Sequence, residues 1–405
     1  MVTDILMYQM NEQKQSYCED KILTLLDQVE AKKVQQFHSN FREYHPTPLV
    51  ALPALSKHLG LGSIHVKDES HRFGLNAFKV LGGAYAIGQY LAQKLHRDVE
   101  FLTFDELVSP SIKAQLGEMT FVTATDGNHG RGVAWAANQL GQKAVVYMPK
   151  GSCENRALNI RNYGAECIIT DLNYDGAVRL ANQMAEEKGW IMVQDTAWDG
   201  YEEIPTWIMQ GYMTLAHEAL QQMQDAQASL PTHIFLQAGV GSFAGAVAGF
   251  FIQNMKENAP IIVVMEPHQS NCLYLSAVAN DGQPHKVDGD MLTLMAGLAC
   301  GEPNTVSWPI LRDYATCFLS VNDALSANGM RILAAPKLGD PSIISGESGA
   351  IGAGVLYELM KKDEYQALRE SLSLDNHAHI LLISTEGDTS PEIYEDIVWL
   401  GRNQY

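Results

Sequence analysis

Positive charge, paired cysteines and long apolar runs are what this sequence is short of, and each shortage removes a class of protein. Its 28 Lys and Arg stand against 47 Asp and Glu, a formal charge of −19 over 405 residues. So acidic a chain is a poor partner for nucleic acid, whose phosphates draw basic faces, and for an anionic membrane surface. No stretch reaches the roughly 18 apolar residues that read as a bilayer span. The opening M-V-T-D-I-L-M-Y-Q-M has no basic region followed by an apolar one, so no secretion signal is expected. The six cysteines (Cys18, Cys153, Cys167, Cys272, Cys300, Cys317) form no C-x-x-C pair and no tight Cys/His cluster. That argues against a structural zinc site or a disulfide framework, and for reduced thiols in the cytoplasm. A bond between distant cysteines such as Cys272 and Cys300 stays open from sequence.

What is there describes an ordinary globular chain, 46% hydrophobic and 19% charged, long enough for two cores. Residues 1–45 are polar and rich in Gln, Lys and Glu, which predicts a helix packed on the outside. Beyond them, short apolar runs predict strands at 64–67, 121–123, 144–148, 167–170, 192–195, 234–237, 261–265, 317–320 and 380–384. Helical patterns lie between them at 133–140, 177–187, 206–222, 244–254, 325–335 and 350–361. Strands this short and apolar throughout suit a parallel sheet covered on both faces by helices, so the fold class is α/β with crossover connections. The stretch 90–115 lacks periodicity and reads as an insertion. No repeat or low-complexity linker marks a domain boundary.

Four local features stand out in this background. Thr125-Asp126-Gly127-Asn128-His129-Gly130 lies between a strand and a helix, where unpaired backbone N–H groups ordinarily hold an anion, yet Asp126 adds a negative charge to the turn. Q-A-G-V-G-S-F-A-G (Gln237–Gly245) has the strand–glycine–helix order that surrounds a phosphate, without a Walker ending or a G-x-G-x-x-G spacing. G-E-S-G-A-I-G-A-G (Gly346–Gly354) opens a helix with small residues, which close helix–sheet packing would also explain. Lys79, in N-A-F-K-V-L-G-G-A-Y, starts an apolar helix. Such a lysine ordinarily snorkels outward, but enclosed it becomes an amine nucleophile.

Together these features resemble the fold type II pyridoxal phosphate enzymes, the family of serine/threonine dehydratases, tryptophan synthase β and cysteine synthase. Phe78-Lys79 is similar to the family's S-F-K, with Ala77 in place of its serine; T-D-G-N-H-G is similar to S-S-G-N-H-G, and G-E-S-G-A to E-P-S-G-A. The order of motifs holds from about residue 45 to about residue 390. With V-Q-D-T-A-W, M-A-G-L-A-C-G-E-P and S-T-E-G-D-T, the resemblance narrows to members that are ammonia-lyases of 2,3-diaminopropionate, over essentially the whole chain.

The resemblance implies two domains, each with a largely parallel open sheet flanked by helices, and pyridoxal 5'-phosphate in the cleft between them. The larger domain would comprise 1–89 and 201–405, the smaller 90–200. Lys79 would carry the cofactor, and Gly239, Val240, Gly241, Ser242 and Gly245 would cradle its phosphate. Asn128 would meet its 3' oxygen, Glu347 would lie near its ring, and Ser384 or Thr385 would face its nitrogen; strand alternation lets only one of those two point inward. Thr125, Asp126, Gly127 and His129 would contact the substrate, with Tyr174 lining the pocket. Asp126 and Lys79 would take the α proton of the D and L substrates respectively, and Asp195 would meet the β-amine cation. No metal is required, and the resemblance implies a homodimer acting on a small amino acid. Rival readings are a serine/threonine dehydratase on the same fold and a non-catalytic amino-acid-binding protein. A carboxyl-terminal regulatory domain is not expected, since the last motif lies close to Tyr405.

Overall fold

The computed structural model describes residues 4–125 and 127–404. Its strands run in chain order as β1 (Leu6–Met10), β2 (Leu49–Ala51), β3 (Ser63–Asp68), β4 (Thr120–Ala124), β5 (Lys143–Met148), β6 (Glu166–Ile169), β7 (Ile191–Met192), β8 (His233–Gln237), β9 (Ile261–Pro267), β10 (Cys317–Val321) and β11 (His379–Ser384). They form a 7-stranded sheet, order β1-β10-β9-β8-β11-β3-β2, and a 4-stranded one, order β6-β5-β4-β7. Only the edge strands β1 and β2 pair antiparallel; every other pairing in both sheets is parallel. Strands β8 and β10 are buried at every residue, as expected of parallel strands with helices on both faces. The α/β architecture is therefore the expected one.

Two expectations need correcting. The amino-terminal segment is not one outer helix. Leu6–Met10 extends along β10 as an edge strand, with Leu6 opposite Val321 and Met10 opposite Cys317, and two helices follow, a single turn at Lys21–Thr24 and a longer one at Gln28–Ser39. The strand itself is mostly apolar, L-M-Y-Q-M, with only Leu6 buried, as an edge position allows. The strand predicted at 192–195 stops at Met192. Beyond it the Gln194 side chain takes over the ladder's role, its Oε1 accepting from Ala124 N and Thr123 Oγ1, each at 2.9 Å. The backbone is thereby released to carry Asp195 away from the sheet. The aperiodic stretch holds short helices at Phe104–Leu107 and Pro110–Leu116.

What brings the two sheets together is the helix Val80–Lys94, apolar and small-residued nearly all round, with Val80 through Gly88 buried. On one side it meets the helix Glu203–Asp225, where a Cβ on Gly82 would come within 2.7 Å of Ile208 and Tyr212. On the other it meets Asn128–Gln139, where a Cβ on Gly132 would come within 2.7 Å of the Val80 Cα. One apolar cluster accordingly runs through both halves, including Phe121 and Val146 from the smaller sheet and Leu236 and Val264 from the larger. We propose the division at 1–89 with 201–405 against 90–200 on the strands each sheet contains; its first cut falls inside the shared helix.

Gly132→Ala sets a methyl against backbone atoms that have no side-chain freedom with which to yield. The gain in helix propensity, about 1 kcal/mol, should be outweighed by an overpacking cost of up to about 3 kcal/mol. The expected net loss of stability is read from the denaturant midpoint; a variant as stable as wild type would show that this contact tolerates a methyl.

Candidate active site

The turn before the shared helix is held from two sides. The Phe78 N–H donates to Thr385 O at 3.1 Å, and Gly387 N–H to Asn76 O at 3.1 Å, while Ala77 bridges Glu386 in antiparallel fashion. Phe78 packs its ring against Tyr212 and Phe243 at centroid distances of 4.8 and 4.7 Å. Lys79 thus enters the helix with its side chain in a cavity at the carboxyl end of the larger sheet, where open α/β sheets bind ligands. Its Nζ donates to Asp195 Oδ2 at 2.7 Å.

Asp195 arrives from the smaller sheet. Its carboxylate is 6% exposed and lies 3.9 Å from His129 Nδ1. Burial pushes its pKa up, but the opposing pull of His129 and Lys79 is larger and leaves it at about 2. Its backbone carbonyl accepts a hydrogen bond from Ser242 Oγ, which in turn accepts from Asn304 Nδ2 at 2.7 Å. Ser242 opens the helix Ser242–Met255, entered through Gly241 at φ +99°, a conformation that strains any side chain. The Lys79 amine, the Asp195 carboxylate and the glycine turn are therefore linked through Asp195. Beneath the turn, burial raises Glu266 to about 8. Glu266 accepts from Leu273 N and Tyr274 N, and the Cys272 thiol lies 3.7 Å from Gly239 O. Cys272 and Cys300 are both reduced thiols, not the two halves of a disulfide.

The cavity is lined by Lys79, Asn128, Asp195, Gly239, Val240, Gly241, Ser242 and Thr385 among the residues expected from sequence. Thr385 Oγ1 accepts from Gln237 Nε2 at 3.1 Å, so its own proton is available to the cavity. Ser384 is turned away, its Oγ donating to Ser345 Oγ at 2.8 Å. Six further expected residues, Gly127 among them, stand behind the lining. Gly245 gives close approach to Ser307, 2.6 Å from where a Cβ would sit. Thr125 Oγ1 accepts from Gly127 N at 2.9 Å. His129 Nε2 bonds Val193 O at 2.8 Å. Tyr174 OH accepts from Gln194 Nε2 at 3.0 Å, and Glu347 is buried with its carbonyl accepting from Ser326 Oγ. Asp126 lies outside the described residues.

Sequence reasoning passed over Gln237, Tyr212, Ser348 and Glu386, which also line the cavity. Gln237, Ser348 and Glu386 sit inside motifs that were singled out, so their position was visible though their roles were not. Tyr212 lies mid-helix with no local signal.

The lining suits a phosphate-bearing ring. The Tyr212 hydroxyl and Ser348 Oγ are buried and make no hydrogen bond among the described residues, which is costly unless a ligand or water supplies the partner. At Gly239 a Cβ would press on Cys300 Sγ and the Leu298 backbone at 3.3 Å, so the turn presents backbone rather than side chain. Lys79 is the one cationic side chain among the lining residues.

The sequence profile of the pyridoxal-phosphate dependent enzymes matches residues 41–372. A diaminopropionate ammonia-lyase of Salmonella typhimurium is 63% identical over 401 residues, 99% of each chain. One of Escherichia coli strain K12 is 54% identical over 380 residues, 94% of each. The crystal structure of diaminopropionate ammonia lyase from Escherichia coli in complex with D-serine superposes with a TM-score of 0.91 at 50% identity, covering 98% of both chains. That enzyme in complex with an aminoacrylate-PLP azomethine reaction intermediate gives 0.89 at 49%, again over 98% of both.

Because Asp195 is held below its ordinary 3.8, at about 2, its pairing stabilises the fold fully above about pH 4, and that contribution is lost as pH falls toward about 2. The stability difference between wild type and Asp195→Asn should be constant above pH 4. It should change by on the order of 2 kcal/mol on acidification to pH 2, as read from urea unfolding of the protein without added cofactor. A difference independent of pH would show that the pairing does not set this carboxylate's ionisation.

Proposed function

The chain belongs to the diaminopropionate ammonia-lyases of the pyridoxal-phosphate dependent enzyme family, and from that premise we propose that it converts 2,3-diaminopropionate and water to pyruvate and two molecules of ammonia. The observation that carries this reading is the buried Lys79–Asp195 contact facing the glycine turn.

Pyridoxal 5'-phosphate, when bound, supplies the electron sink that lets an α proton and then a β substituent leave an amino acid. Lys79 would hold it, the Gly239–Ser242 turn its phosphate, Asn128 its 3' oxygen, and Thr385 its ring nitrogen. Asp195 stays ionised at any physiological pH, and a buried carboxylate that stays ionised is stabilised by a positive charge facing it. Without cofactor Lys79 Nζ stands 2.7 Å from it and His129 Nδ1 3.9 Å; once the lysine holds the cofactor, a substrate's β-ammonium is the natural replacement for the Lys79 charge. Serine offers only a neutral hydroxyl there and would not replace the charge that Lys79 gave up, so the same carboxylate that binds the substrate disfavours its closest analogue. Lys79 and Asp126 are the two proton acceptors of this reading, Lys79 for the L and Asp126 for the D substrate, acting from opposite faces.

The proposal extends to a homodimer located in the cytoplasm. The free thiols fit a reducing compartment, and among the described residues no helix is long and apolar enough to cross a membrane.

The expected result with either enantiomer of diaminopropionate is two ammonia per pyruvate, faster than with D- or L-serine. Turnover confined to serine or threonine, at one ammonia per pyruvate, would make the protein a dehydratase instead. Asp126→Asn should lose D turnover by about a hundredfold or more, the usual weight of a general base, and keep most L turnover. Equal losses for both hands would remove Asp126 from its role.

A further inference from the structure

The turn that follows β11 carries a carboxylate with an unusual set of contacts. Glu386 is 5% exposed and lines the cavity beside Asn128. Its Oε2 accepts from Asn128 Nδ2, and its Oε1 accepts from the Ser348 N–H at 3.0 Å. The backbone beneath it is fixed as well: its carbonyl accepts from Gly346 N at 2.9 Å, and it bridges Ala77, two residues before Lys79. One residue therefore touches the segment that delivers Lys79, the Gly346–Gly349 turn, and the first residue of the helix Asn128–Gln139. That helix belongs with the smaller sheet, so the contact between Glu386 and Asn128 crosses the cleft.

A carboxamide by itself can present either its oxygen or its nitrogen to a neighbour. The Glu386 Oε2 accepts in this contact, so it selects the orientation with the amide nitrogen toward it and fixes what the rest of that amide shows to the cavity. We propose that Glu386 is a positioning residue, holding the Asn128 amide in the orientation the cofactor requires and adding, beside Asp195, a second tie between the smaller sheet and the cofactor cavity. This rests on the cavity being the pyridoxal phosphate site.

The test is a double-mutant cycle on cofactor binding. Dissociation constants for pyridoxal 5'-phosphate are measured by tryptophan fluorescence on apoprotein of wild type, Glu386→Ala, Asn128→Ala and the double variant, with visible circular dichroism of each loaded protein. Each single variant should weaken binding by on the order of tenfold and alter the visible dichroism. The double variant should be no weaker than Asn128→Ala and should share its spectrum. A further tenfold loss in the double variant, or single variants that bind as wild type does, would overturn the proposal. Should Glu386→Ala not fold, Glu386→Gln keeps the volume and must still act only when Asn128 is present. Wild type that takes up no pyridoxal phosphate would instead sink the cofactor reading beneath the proposal, which keeps the two failures distinct.

Discussion

A carboxylate that stays ionised inside protein is held so by the positive charge facing it, and in this molecule that constraint joins two sheets. Asp195 leaves the smaller sheet, is 5% exposed, and finds the Lys79 amine 2.7 Å away at the head of the helix both halves share. Neither group would be held there alone: burial raises an isolated carboxylate and would discharge a lone lysine. Because the Asp195 carbonyl also takes the Ser242 hydroxyl, the amine and the phosphate turn are placed by a single residue. The chemistry of the site follows, since whichever cation displaces Lys79 must satisfy the same carboxylate.

Behind this contact lies a second, larger electrostatic assembly. Lys67 and Arg72 face Glu69 and Glu218 in a fully buried group of two positive and two negative side chains. Arg72 reaches Glu218 Oε2 at 2.7 Å and Glu69 Oε2 at 2.9 Å, and Lys67 also donates to Thr47 O at 2.8 Å. Removing one partner from such a group typically costs about 3–5 kcal/mol, because the other is left charged and dry. The short helix Glu69–Gly74 carries two of its members and leads directly into the Asn76–Lys79 turn. The group therefore anchors that segment to the helix Glu203–Asp225, from which Glu218 comes. Tyr212, on the same helix, places its hydroxyl in the cavity wall.

Much of this was legible before any coordinates. Buried parallel strands such as β8 and β10 carry apolar runs, Ile234–Leu236 and Cys317–Leu319, so their existence and class could be read directly, and a glycine turn marked the end of β8. The edge strand Leu6–Met10 was not legible, because L-M-Y-Q-M shows no strict apolar/polar alternation and the polar stretch that follows it suits a surface helix. Nor was the early end of β7, where the Gln194 side chain substitutes for backbone. In the site, Lys79, Asn128, Asp195 and the glycine turn could be named from motifs. Glu386 and Gln237 could not, since a carboxylate or amide within a motif does not announce which partner it will meet.

By itself, then, the sequence determined the alternation of strand and helix, the glycines at the strand ends, and which residue types were available for chemistry, because these depend on local periodicity and on side-chain chemistry. Which hydroxyl of Ser384-Thr385 meets the cavity was decided only by the tertiary structure, where Ser345 claims one and Gln237 holds the other. So was the meeting of Asp195 with Lys79 and of Glu386 with Asn128, pairs 116 and 258 positions apart. The physical reason is the same in each case. An ion pair or a hydrogen bond over such separations has no local signature, and it exists only once packing of the shared helix on its glycines has brought the two sheets to their final distance.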